Sequence, residues 1–437
     1  MDFPLPGCHG FKASRRQWLA ANGAAGMSAL LGKEVLASAR PEATRSLIVV
    51  YLTGGLAHQD SFDPKPKAPL EIRGEFSSIQ TKLPGIRFSE HLPMLAARAD
   101  QFSLVRSLVG FVDEHSSYQN LTGFPMGIAQ REGKPHLGSM VARALGPAQP
   151  TTPPFVDLFP VMQHRPYNSP GPGQLGQAAM GAKLDTRDLG SMKVLPDSME
   201  ALKVRKALIQ NVNAQSSGFG IDFDGPYSRA FDLLVSQSLS RTLNIEAESE
   251  RTRDRYGRGD SKHQGDGAPL WNDQLLLARR LVESGARVVT VAYGFWDTHG
   301  NNFKHLRGNL PMLDRGISAL LDDLKERGLL DTTTVMVCGE FGRTPKINKD
   351  AGRDHWSRVN GCLLAGGRIK PGQVLGATDS AAAEVHDNPI HHRDILATVL
   401  TSLGLDLHAM IQDVSGRPMT LLPGTAQPVE KLLASAR

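Results

Sequence analysis

The 437-residue chain is long enough to bury a large core, and its 40% hydrophobic and 21% charged residues are those of an ordinary globular protein. Its formal net charge of +5 is small for that length, and no basic stripe interleaved with aromatics appears, so a nucleic-acid partner is excluded on composition. Of three cysteines, Cys8 falls in a presequence; Cys338 and Cys362 read as buried small hydrophobes, or as a pair if their strands adjoin.

The N-terminus carries a targeting pattern. Ser14-Arg15-Arg16-Gln17-Trp18-Leu19 has twin arginines, a modestly apolar Ala20–Leu31 follows, and Ala37-Ser38-Ala39 is a small-x-small cleavage site. The apolar run is too short and Gly-rich to span a bilayer stably. Residues 1–39 are thus expected to be a signal peptide read by the twin-arginine export machinery. Residues 40–437 are expected to form one periplasmic or secreted domain with no remaining membrane anchor.

Arg45–Thr53 is a nearly continuous apolar run, as in a central parallel strand, and ends at Gly54-Gly55. The loop beyond holds Asp60 and Asp63, either of which could ligate a metal or merely shape a turn. Ser89–Asp100 reads as a helix capped by Ser89, and Gln101–Leu108 as the next strand. His115, Ser116 and Ser117 follow it where a helix could begin, so the serines are N-caps or catalytic hydroxyls. Residues 150–181, dense in Pro and Gly, suggest an ordered excursion over the surface. Residues 197–212 and 224–243 are helical by pattern, and 246–267 reads as a mobile charged loop. Leu270–Gly285 is an amphipathic helix, Arg287–Ala292 a strand, and Phe303–Gly328 a long amphipathic helix. That helix leads to strand Thr334–Cys338, which gives a right-handed parallel crossover. Gly361–Ala365 is a further strand, and a helix ending at Leu403 follows His391-His392.

Ionisable residues collect just past the predicted strands, where open α/β sheets place their ligands. They are Asp60, the His115/Ser116 region, Asp297 and His299, Glu340, and His355. Mixed carboxylates and imidazoles suit a divalent metal, zinc before calcium or manganese. Such an ion would polarise a phosphoryl or sulfuryl oxygen. Arg343, with its planar fork, is the natural clamp for a tetrahedral anion. Glu340 could instead pair with Arg343 as scaffolding.

Several phrases carry a resemblance: GG…DSFDPKP (Gly54–Pro66), EIRGEF (Glu71–Phe76), ARRLVESGARVVTV (Ala278–Val291), WDTHGNNF (Trp296–Phe303), GEFGRTP (Gly339–Pro345) and GRDHW (Gly352–Trp356). Together, over about Arg45–Asp406, they resemble an exported bacterial family, domain of unknown function fifteen-oh-one, of the alkaline-phosphatase-like (sulfatase-like) superfamily. The resemblance implies a three-layer α/β fold, a mostly parallel central sheet between helices, with one or two metals at its site. Asp297, His299 and His355 resemble the trio on one metal. Glu340 matches the carboxylate of the second metal's Asp-His pair, but Phe341 stands where the His would be. Thr53 and Gly54 replace the Asp at the first strand's end, so Asp60 could only substitute from further along. The sulfatase motif Cys-x-Pro-Ser-Arg is missing before Leu121-Thr122-Gly123, which excludes a formylglycine enzyme and leaves Ser116 as the candidate nucleophile. The leading expectation is an exported metal-dependent hydrolase of small-molecule or polysaccharide-borne phosphate or sulfate esters. Its catalytic residues would be Ser116, Glu340 and Arg343, and its metal ligands Asp297, His299, His355, Glu340 and Asp60. The alternative is a catalytically degenerate binding or accessory protein.

Overall fold

The computed structural model describes residues 46–184 and 237–434. The signal peptide expected at 1–39, the helix at 197–212 and most of that at 224–243 lie outside the described residues; Gln237–Leu243 is helical.

Five strands form where the apolar, β-branched runs predict them, and four short ones, over 155–157, 182–183, 373–375 and 390–391, fall where the sequence predicts none. They are β1 (Ser46–Leu52), β2 (Phe102–Val109), β3 (Phe155–Asp157), β4 (Ala182–Lys183), β5 (Val288–Tyr293), β6 (Thr333–Gly339), β7 (Asn360–Ala365), β8 (Gln373–Leu375) and β9 (Ile390–His391). They build one nine-stranded sheet in the order β8-β2-β7-β6-β1-β5-β3-β4, with β9 also paired to β2. Only β7 runs antiparallel to its neighbours, so β1, β2, β5 and β6 all end at the same edge of the sheet.

Helices α1 (Tyr118–Thr122), α2 (Leu137–Leu145), α3 (Asp273–Glu283), α4 (Asn302–Glu326) and α5 (His392–Ser402) complete the frame. Alternation along β1 sorts the core into two layers. Ile48, Val50 and Leu52 pack with Leu276 and Leu281 of α3 and Leu313 and Leu320 of α4. Leu47, Val49 and Tyr51 share the opposite cluster with Met140 of α2 and Leu396 of α5. A sheet apolar on both faces must be covered on both, which is why its central strand reads as continuous rather than alternating. This is the three-layer, mostly parallel α/β architecture that the sequence predicts. Among the described residues no helix is long and apolar enough to cross a membrane.

Three local expectations are corrected. The helix over 89–100 shrinks to Pro93–Ala96, because Pro93 sets the first helical position and Ser89 ends a hairpin strand. Its first N–H groups, at Met94 and Leu95, are taken by the Asp314 carboxylate of α4 at 2.8 and 2.7 Å. Stretch 246–267 is no open loop: Ser249 caps a helix, Glu250–Tyr256, and Gly259–His263 pairs with Pro269–Trp271. The excursion at 150–181 contributes β3 to the sheet and carries Tyr167 inward. Cys338 and Cys362 are cross-strand neighbours on β6 and β7, both buried free thiols, and burial pushes the Cys338 thiol up to about 12.

Candidate metal centre

The chain leaves β1 through Gly54, whose φ of +96° only glycine adopts readily; a Cβ there would lie 2.4 Å from the Asp297 nitrogen. The close approach sets the loop after β5 against the end of β1. Trp296 anchors that loop, fully buried, its indole N–H donating to the Tyr293 carbonyl at 2.8 Å. The loop after β6 folds back as a short hairpin that pairs Arg343 with His355. Arg353 N–H donates to Thr298 O at 2.9 Å and Asn348 Nδ2 to His299 O at 2.9 Å, strapping the two loops together.

These supports bring His115, Asp297, His299 and His355 to one point, with one donor atom of each within 4.8 Å of all the others. Asp297 is central. Its Oδ2 lies 3.2 Å from His115 Nε2, and its Oδ1 lies 3.0 Å from His299 Nε2 and 3.6 Å from His355 Nε2. His299 Nε2 and His355 Nε2 are 2.9 Å apart. Every imidazole turns its other nitrogen to a separate carboxylate at 2.7 Å: His115 to Glu340, His299 to Asp354, and His355 to Asp113. A carboxylate on Nδ1 holds a hydrogen there, so that Nε2 can give up its own proton and offer its lone pair when a metal binds, the outer arrangement of metal-binding histidines.

The donor set fits a transition metal. Ligands about 2.0–2.1 Å from a tetrahedral zinc lie about 3.3 Å from one another. The contacts around Asp297 and between His299 and His355, 2.9 to 3.6 Å, are near that value, and the whole quartet lies within 4.8 Å, so the donors sit close enough to share one ion. Three imidazoles and one carboxylate suit a divalent transition metal better than calcium, which takes an oxygen-rich set. The electrostatics agree. Burial opposes charge on His115, but its hydrogen bonds to Asp297 and Glu340 outweigh it and push its pKa up to about 9. Burial likewise works against ionised Asp297, yet hydrogen bonds from His115 and His355 and the Arg343 charge hold it well below the usual carboxylate range. Positive charge is favoured here, whether carried by protons or by a metal ion.

The other expected site residues are placed differently. Glu340 is fully buried behind His115 and accepts from the Tyr51 hydroxyl through its second oxygen; it backs a ligand. Asp60 is outside the quartet: Arg353 grips both its oxygens at 2.6 and 2.7 Å and Asn302 donates to one. Arg343 is no free anion clamp. It is fully buried, donates to the backbone carbonyls of Gly54, Gly55 and Arg353, and holds Asp297 Oδ1 at 2.5 Å. Ser116, buried, donates to Glu114 Oε1 at 2.7 Å, so its hydroxyl is engaged away from the quartet. His391, just before α5, caps that helix by accepting from Arg393 N–H at 3.2 Å.

Sequence reasoning marked the 115–116 region but favoured the serine; the side chain that joins the quartet is His115. Tyr167 was missed. It lies in the Pro/Gly-rich stretch with its hydroxyl 2.9 Å from His115 Nδ1, and a lone tyrosine among turn residues gives no signal for this.

Solved structures with a similar chain course include the phosphonate monoester hydrolase SpPMH from Silicibacter pomeroyi (12% identity, 90% of this chain and 78% of that one, TM-score 0.39). Others are the lipoteichoic acid synthase LtaP from Listeria monocytogenes (11%, 88% and 79%, 0.37) and the PsFucS1 sulfatase from Pseudoalteromonas sp. (12%, 90% and 72%, 0.34). Likenesses of this degree bear on neither the site nor the substrate. No curated protein matches the chain. The model of one family, described as protein of unknown function (DUF1501), matches residues 44–433, nearly the whole chain beyond its first residues: the chain belongs to this family.

Proposed function

We propose that the protein is a metal-dependent hydrolase of phosphate or sulfate esters, working with one divalent ion, preferentially zinc, held by His115, Asp297, His299 and His355. The observation that carries this reading is the convergence of three Nε2 atoms on Asp297 with a carboxylate behind every ring. A bound ion supplies Lewis-acid polarisation of an ester oxygen and acidifies water. The chain's own part is positional. Glu340, Asp354 and Asp113 keep the hydrogens on Nδ1, and Arg343 holds the Asp297 carboxylate. His299, with 45% of its side chain exposed, marks the open side through which a substrate reaches the quartet. Water is the nucleophile in this reading, since Ser116 is bonded to Glu114. Arg343 is buried and engaged with Gly54, Gly55, Arg353 and Asp297, so orienting an anionic ester would fall to an ion held by the quartet.

The alternative, a binding or accessory protein without turnover, draws on the absence of a second-metal set: Asp60 is locked to Arg353, and Phe341 stands beside Glu340. Elemental analysis of the chain from Arg40 onward, beside His299→Ala and His355→Ala, separates the possibilities, followed by a panel of phosphate mono- and diesters and sulfate esters. About one ion per chain, lost in both variants, together with ester turnover, supports the hydrolase. Metal without turnover of any ester favours the accessory protein. Folded protein that takes up no zinc, calcium or manganese overturns the hydrolase and leaves the accessory protein as the reading. Export belongs to the same proposal: replacing Arg15 and Arg16 by Lys should retain the protein in the cytoplasm, and unchanged fractionation would count against the twin-arginine route.

A further inference from the structure

The three carboxylates behind the quartet are not equivalent. Asp113 and Asp354 sit on loops with 56% and 52% of their side chains exposed, so water can take over their hydrogen bonds. Glu340 has no exposed surface, and no water can replace it. Its mount is rigid as well. The carbonyl of Gly339, the residue before it, accepts from both Asn120 Nδ2 and Asn360 Nδ2 at 2.8 and 2.9 Å. One carboxylate oxygen meets His115 Nδ1 and the other the Tyr51 hydroxyl, and burial and the Glu340 charge together keep that phenol protonated as a donor. On the other side the Phe341 ring lies 5.3 Å from the His115 ring.

Resting on the metal reading above, we infer that Glu340 is the principal positioning residue of the centre, with Tyr167 in reserve. The hydrogen count gives the reason. His115 Nδ1 carries one hydrogen when Nε2 is committed to a metal, and two acceptors compete for it: Glu340 Oε1 at 2.7 Å and the Tyr167 oxygen at 2.9 Å. The anion is shorter and charge-assisted and takes the hydrogen. Tyr167 becomes the acceptor only when the carboxylate charge is gone.

The test measures affinity for Zn²⁺ and Co²⁺ by chelator competition on the full mature chain, with the Co²⁺ ligand-field spectrum as a readout of the coordinating set. Glu340→Gln preserves shape and removes charge, and should weaken binding about 10–100-fold while leaving one ion per chain and the cobalt spectrum unchanged. Asp113→Asn and Asp354→Asn should each cost only a few-fold, because water substitutes. Tyr167→Phe should cost a few-fold alone but about tenfold more in the Glu340→Gln background. If Glu340→Gln does not fold, Tyr51→Phe removes only the second support and should still weaken binding more than Asp113→Asn does. Glu340→Gln binding like wild type, or no worse than the two exposed variants, overturns the ranking. A cobalt spectrum showing one ligand fewer makes Glu340 itself a ligand, which also overturns it. Wild-type protein that binds neither ion refutes the metal reading instead, and is recognised before any variant is compared.

Discussion

Two ionic clusters in this molecule use similar residue types toward opposite ends. The first joins α3 to α4. Fully buried Arg279 meets Asp323, Glu248 and Glu283 at 2.8, 2.8 and 2.5 Å, and Arg327 meets the remaining oxygens of the same three at 2.8, 3.1 and 3.1 Å. Every carboxylate meets at least two guanidinium groups, Arg280 adding a third to Glu248 and Arg255 a third to Asp323, so the cluster supplies its own counter-charge. In the quartet, three imidazole nitrogens and a carboxylate, all groups able to ligate a metal, face one another, and the one nearby guanidinium, Arg343, divides its donors between Asp297 and three backbone carbonyls. Density of charge therefore does not mark a functional site. What marks it is convergence of acceptors on a point where the chain places too few donors.

The largest expected effect separates the two clusters. Arg279→Met should cost about 3–5 kcal/mol of stability, because it removes the one fully buried cation that touches all three carboxylates. Metal content of the folded protein should not change. Urea denaturation and elemental analysis on one sample measure both, and loss of metal would show that the clusters are coupled after all.

A smaller effect is expected at Gly54. An added Cβ would press on the Asp297 backbone at 2.4 Å as well as straining a φ of +96°. Gly54→Ala should cost more than about 1 kcal/mol and weaken metal binding along with it. Gly85, with φ +78° and nothing within 4 Å of its virtual Cβ, isolates the backbone strain. Gly85→Ala should lose comparable backbone energy and leave metal affinity untouched. Equal metal affinities in the two variants would mean that Asp297 tolerates displacement.

The same contrast explains what could be read from the sequence. The strands were legible because a buried parallel strand leaves a continuous apolar run, and their ends located Asp297, His299 and His355 correctly as neighbours. Pairing was not legible. Asp60 and Arg353 are 293 positions apart, and nothing local distinguishes that scaffold pair from a ligand and a clamp. Tyr51 looked like one more apolar residue of β1, since its hydroxyl acquires a role only when β6 sets Glu340 beside it. Charges at 246–267 suggested a solvated loop because the partners of Glu248, Arg279 and Arg327, lie on other helices. Among Asp113, Glu114, His115 and Ser116, only the fold shows which side chain turns inward.

Histidines divide in the same way as the ionic clusters, and that division predicts the smallest effect. His115 is surrounded by carboxylates and its pKa rises to about 9, whereas His136 is buried against Phe155, with its ring centroid 4.6 Å away, and burial pushes its pKa down to about 3. His136 caps α2 as a neutral ring, Nδ1 accepting from Gly138 N–H at 2.7 Å. Its folded pKa lies below the unfolded value of about 6.5, so the unfolded chain binds the extra proton between those limits. The stabilising contribution is therefore complete above pH 6.5 and is lost as pH falls toward 3. His136→Asn keeps a capping oxygen without a titration in this range. Wild type should lose about 2 kcal/mol more than the variant between pH 7 and pH 5, read from urea midpoints at each pH. The variant's lower absolute stability does not enter, because the slopes are compared and other titrating groups act alike in both proteins. Parallel slopes would mean that the ring takes up its proton without leaving the core, and the contrast between a histidine sealed from charge and one surrounded by it would not extend beyond the quartet.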